Sequence, residues 1–125
     1  MYDAWHNYSN APQAGAIICS SNEIKEGNTH HFNIISKDGA FPVIATRIEG
    51  AVHCYVNACP HQHLPLNYRS DNIISSDKNR LLCSVHGAAF DSKTGRCLTG
   101  AFNNLDKIPV IEDQQGNVYI RHNIP

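Results

Sequence analysis

Apolar and polar positions along this chain alternate in short runs that rarely keep a helical period. Residues 16–19 form one such run, followed by a polar stretch, 20–27, that accommodates a helical turn. Residues 30–36 form a second, with Phe32 and Ile34, and Ile35 after them, directed inward. Residues 41–48 and 51–58 flank Glu49-Gly50, the kind of two-residue connection that turns a tight hairpin. In its first arm Ile44, Thr46 and Ile48 alternate against Val43, Ala45 and Arg47; in its second Val52, Cys54 and Val56 alternate against His53, Tyr55 and Asn57. A period of two marks half-buried strands. Pro42 sits at the start of its run, where a missing N–H is tolerated. A polar segment at 69–79 precedes a short apolar strand at 81–83. Residues 88–91 and 96–98 pair around 92–95, and 108–112 and 118–121 bracket a Gly-containing turn at 113–117. Many short strands separated by turn signals predict an all-β sandwich or barrel.

Length and charge narrow the classes. The 125 residues fit one domain, with 42% hydrophobic and 17% charged positions, a globular balance. Ten Lys+Arg stand against eleven Asp+Glu, a formal net charge of -1, which excludes a broadly basic nucleic-acid binder. No apolar run approaches the length of a membrane-spanning helix, so no membrane association is expected. Residues 1–15 read as a variable leader with neither the basic start nor the apolar stretch of a signal peptide, so the cytoplasm is the expected location. Five cysteines are an odd number for a disulfide framework; in a reducing compartment they are buried, metal-binding or catalytic.

The candidate chemistry lies in two segments, Cys59-Pro60-His61 and Cys83-Ser84-Val85-His86-Gly87, separated by residues 62–82. Each offers one thiolate and one imidazole, a set suited to zinc, copper or an iron–sulfur centre. Structural zinc sites usually pair like ligands, cysteine with cysteine and histidine with histidine. Here each segment pairs unlike ones, which matches a binuclear cluster with two cysteines on one iron and two histidines on the other. A zinc-binding or interaction module is the alternative.

At these residues the sequence resembles the Rieske-type [2Fe–2S] proteins, whose pattern reads C-x-H followed by C-x-x-H. Leu64-Pro65-Leu66 after the first pair is similar to the family's first loop. Gly87-Ala88-Ala89-Phe90-Asp91, Thr94-Gly95 and Cys97 are similar to its second loop and the strand behind it. Leu105, Ile108-Pro109-Val110 and Val118-Tyr119-Ile120 resemble its closing strands. The resemblance implies a single domain over 16–122, a β-sandwich or partly open barrel with a smaller cluster-binding subdomain formed by two loops over about 58–101. It implies one [2Fe–2S] cluster per chain, held by Cys59, His61, Cys83 and His86. It also implies a one-electron carrier between a flavin reductase and an oxygenase, both docking near His61 and His86, and not an enzyme in itself. Too few residues follow His86 for an oxygenase's catalytic domain, and a G-x-G-x-x-G nucleotide fingerprint is missing. The small subunit of a larger reductase, similar to nitrite reductase, is a further alternative.

Counted formally, an oxidised cluster with two thiolate and two imidazole ligands is neutral, so it accepts an electron more readily than an all-thiolate one. Gly87 would let backbone N–H groups approach the sulfides. The outer nitrogens of His61 and His86 should couple reduction to protonation. Relative to the respiratory branch of the family, Leu64 and Val85 stand where two further cysteines form a disulfide between the loops. Ala88 and Phe90 replace a serine and a tyrosine that hydrogen-bond to sulfur, which predicts a low potential, on the order of −150 mV. The loop that covers the cluster in many relatives is reduced to Gly100-Ala101-Phe102. Cys19 and Cys54 read as small core residues and Cys97 as a core position behind the second loop. His63 reads as a solvated loop residue, and His6, His30, His31, His53 and His122 as surface residues. Trp5 in the leader carries no signal of its own.

Overall fold

The computed structural model describes residues 5, 8–37, 39–60, 64–84, 87–100 and 103–121. Ten short strands build it: β1 (Ile17–Ser20), β2 (Thr29–Ser36), β3 (Gly39–Ile48), β4 (Ala51–Val56), β5 (Arg80–Leu82), β6 (Ala89–Asp91), β7 (Cys97–Thr99), β8 (Lys107–Ile108), β9 (Val110–Glu112) and β10 (Asn117–Ile120). A 3₁₀ turn, Ser21–Glu23, occupies the predicted helical stretch. The strands form a four-stranded antiparallel sheet, β2-β3-β4-β8, and two three-stranded sheets, β1-β10-β9 and β5-β6-β7. The all-β expectation holds.

The β3–β4 hairpin forms because Glu49 and Gly50 both take positive φ, 52° and 84°, the turn geometry that follows the natural twist of paired strands. The Glu26 carboxylate accepts hydrogen bonds from both turn N–H groups, at 2.8 and 2.9 Å. Alternation is present as predicted, but the strands are not half-buried. Phe41, Val43 and Ala45 of β3 join Cys54 and Val56 of β4 in one core, with Ile18, Val118 and Ile120 from the β1-β10-β9 sheet. Ile44 and Ile48, with Tyr55 of β4, turn the other way into a second core with Leu81, Phe90 and Leu105. The four-stranded sheet therefore has one three-stranded sheet on each face, and its central strands are buried on both. Each large side chain so buried contributes about 1.5–3 kcal/mol.

Three other readings change. Ile35 is 74% exposed, because period two places it opposite Phe32 and Ile34. The run at 108–112 is two strands: Pro109 separates β8, which pairs with β4, from β9, which pairs with β10, so the chain changes sheets there. Trp5 is buried in the first core, and the Tyr8 hydroxyl donates to Asp106 at 2.6 Å, so leader residues pack on the domain. Among the described residues no helix is long and apolar enough to cross a membrane.

His53 also departs from its reading as a surface residue. It is half-buried, with Nδ1 3.0 Å from the Lys107 ammonium. Burial, then the Lys107 charge, lowers its pKa from 6.5 to about 4. An ammonium can only donate, so Nδ1 accepts and the ring is neutral. The unfolded chain protonates this histidine near its ordinary value of about 6.5 and therefore binds more protons across that window. The histidine's contribution to stability is present above that value and is lost as pH falls toward 4. In chemical denaturation at pH 7 and pH 4.5, His53→Gln should show a smaller acid loss of stability than the wild type. Equal losses would contradict the assignment.

Candidate metal centre

Two loops leave the second core close together. The first begins where β4 ends. The N–H of Asn57 donates to the Pro42 carbonyl of β3 at 3.0 Å, fixing the exit of the strand, and Cys59 follows two residues later. The Cys59 N–H closes the loop on the Leu64 carbonyl at 2.7 Å. The buried Asn57 side chain then spans the loop's base: Oδ1 accepts from the Leu66 N–H and Nδ2 donates to Asn67 Oδ1, both at 2.8 Å. The second loop leaves β5 at Cys83 and re-enters at β6. The Cys83 N–H donates to the Ala88 carbonyl, and the Gly87 N–H returns to the Cys83 carbonyl, each at 2.8 Å.

The two sequence-predicted cysteines fall in the same core. Cys59 is 0% and Cys83 1% exposed, and both belong to the second core with Leu66, Ala88, Phe90 and Leu105. The loops are joined directly: the Ser84 N–H and hydroxyl both donate to the Leu66 carbonyl, at 2.9 and 2.7 Å, and Ser84 Oγ accepts from the Arg69 N–H at 2.9 Å. Ser84 and Asn57 were not singled out from the sequence. Their signals were position alone, one directly after a candidate cysteine and one two residues before the other.

Gly87 has φ 73°, a conformation that suits glycine. The turn uses it to return the Gly87 N–H to the Cys83 carbonyl. A close backbone approach lies at Gly100, φ 87°, where a Cβ would stand 2.9 Å from Ala88 Cα. Ala88 and Phe90 are fully buried beside the second loop and bring no hydroxyl to it.

The remaining cysteines separate by environment. Cys19 and Cys54 are buried in the first core, across the sheet from the loops. Burial pushes the Cys19 thiol up to about 11 and the Cys54 thiol higher still, so both stay protonated. Cys97 is half-buried against the second core, with Sγ 3.7 Å from the Thr99 carbonyl. His61, His63, Val85, His86, Ala101 and Phe102, with His6 and His122, lie outside the described residues. His30 is partly buried and accepts the Lys25 N–H at Nε2, 3.0 Å, while His31 is exposed.

Two buried sulfur donors at the feet of hydrogen-bonded loops fit one iron of a binuclear cluster. The family model for the Rieske [2Fe-2S] domain matches residues 15–112. The chain belongs to the Rieske [2Fe–2S] domain family. The cofactor of this Rieske domain is accordingly a [2Fe–2S] cluster. Solved structures with the same fold include the ferredoxin of carbazole 1,9a-dioxygenase from Nocardioides aromaticivorans IC177, with a TM-score of 0.68 and 16% identity over 87% of this chain and 98% of that one. The Sphingomonas yanoikuyae B1 ferredoxin has a TM-score of 0.68 and 20% identity over 87% and 99%. A complex of reduced oxygenase and oxidized ferredoxin in carbazole 1,9a-dioxygenase has a TM-score of 0.68 and 21% identity over 88% and 94%. A comparison with curated protein sequences found no match.

Proposed function

We propose that this Rieske protein is a cytoplasmic one-electron carrier that takes electrons from a flavin reductase and delivers them to an oxygenase, without substrate chemistry of its own. The observation that carries the reading is the burial of Cys59 and Cys83 in one apolar core at the feet of two loops joined through Ser84 and Leu66. His61 and His86 are the proposed partners of these cysteines, completing a set of two sulfurs and two nitrogens. The ferredoxin-sized relatives support the carrier role, since the chain matches nearly their whole length. When bound, the cluster supplies a reversible one-electron couple. The protein's part is to hold the sulfurs in a dry core and to fix the loops, so that little has to rearrange on electron transfer. A near-neutral formal charge of -1 suits docking through a local patch around the histidines, with a small transient interface.

The environment of Ala88 and Phe90 favours a low potential. With no hydroxyl there to hydrogen-bond to sulfur, less negative charge is stabilised on reduction. A redox titration should therefore give a one-electron wave near the low end of the Rieske range, about −150 mV, and the reduced protein should be reoxidised by an oxygenase of the carbazole-dioxygenase type. A midpoint clearly above zero at neutral pH would contradict the low-potential assignment. Protein that accepts no electron would overturn the carrier role.

A further inference from the structure

We infer that the Ser84 side chain is the clasp that sets the spacing of the two cluster loops, the part a disulfide plays where the loops carry two further cysteines. The inference rests on the proposed reading that Cys59 and Cys83 hold the cluster. Leu64 and Val85 stand at the places that resemble those of the bridging cysteines, so no covalent tie joins the loops there. Ser84 lies next to one of those places. Its hydroxyl donates to Leu66 of the first loop at 2.7 Å and accepts from Arg69 beyond it at 2.9 Å, using the oxygen as both donor and acceptor.

The Ser84 N–H adds a second bond to the Leu66 carbonyl, at 2.9 Å, so that carbonyl is saturated from the second loop alone. Leu66 is fully buried and its own N–H is fixed by Asn57. A continuous line of hydrogen bonds thus runs from the end of β4, through Leu66, to the residue that follows Cys83. Ser84 is a positioning residue: its hydroxyl ties the peptide that follows Cys83 to the loop that carries Cys59.

The test compares iron and sulfide loss from purified holoprotein under a chelator, followed by the visible absorbance of the cluster, in wild type, Ser84→Ala, Ser84→Thr and Ser92→Ala. Ser92 is a control because its buried hydroxyl donates to the Lys78 carbonyl at 2.8 Å, a contact that does not join the two loops. Ser84→Ala should release iron and sulfide about 5- to 10-fold faster, as expected for losing the two hydroxyl hydrogen bonds while the Ser84 N–H keeps its bond to the Leu66 carbonyl. Its reduced EPR lines should broaden. Ser84→Thr should restore both, and Ser92→Ala should lower thermal stability while leaving cluster release at the wild-type rate. Wild-type rates in Ser84→Ala, or equal acceleration in Ser92→Ala, would overturn the clasp. A wild-type protein without sulfide would overturn the cluster reading instead.

Discussion

Replacing Cys83 by serine is expected to abolish cluster assembly, and Cys59→Ser to do the same. Iron and acid-labile sulfide should fall to background, and the visible absorbance should disappear. A serine hydroxyl is a harder, more basic oxygen donor than a thiolate and matches iron in a sulfide cluster poorly. The location adds to the effect. Both side chains are all but completely buried in an apolar core, so an unliganded hydroxyl there must find a hydrogen bond or leave a polar group unpaired at a cost of about 1–3 kcal/mol. The loops should then loosen, since metal binding and local folding are coupled. Cys54→Ala is the matched comparison: it removes an equally buried thiol from the opposite core, and should lower stability while leaving iron content unchanged. Full iron and sulfide in Cys83→Ser would remove Cys83 from the ligand set.

Gly100→Ala is expected to destabilise the protein strongly beside the second loop. At φ 87° an alanine costs about 1–3 kcal/mol in backbone strain. The new Cβ would also stand 2.9 Å from Ala88 Cα and 3.1 Å from Ala88 Cβ, and a Cα cannot rotate away as a flexible side chain can. Thr99, one residue earlier, is paired with Ala89, so relief requires the β6–β7 pairing to open beside the second loop. Strain and overpacking together give a loss of about 2–5 kcal/mol, read as a fall in the denaturation midpoint, accompanied by faster cluster loss. Gly116→Ala is the control: φ is 85° and nothing lies within 4 Å, so only the strain should remain. Equal effects at the two glycines would show that the contact with Ala88 is not tight.

The all-β class, the β3–β4 hairpin and the strand order in sequence were legible because each rests on local rules: period two, and a turn whose residues must tolerate positive φ. Burial on both faces of β3 was not, since alternating residues such as Val43 and Ile44 are all apolar or small and period alone does not say how many layers cover a sheet. The break at Pro109 was readable in principle. A proline cannot donate to a ladder, but a chain changing sheets looks the same in sequence as one strand. His53 was misplaced because its neighbour Lys107 is distant in the chain, and only the β4–β8 pairing brings them together. At the site, Cys59 and Cys83 stood out from their spacing with histidines. Asn57 and Ser84 did not, because Asn57 closes the base of its own loop and Ser84 bonds to a loop that only the tertiary structure brings beside it.

The most direct test of the centre is iron and acid-labile sulfide analysis combined with EPR of the dithionite-reduced protein. Two irons and two sulfides per chain are predicted, with a rhombic signal whose average g lies well below the free-electron value, as nitrogen donors at one iron require. A single zinc with no sulfide, or a spectrum of the all-thiolate kind, would contradict it.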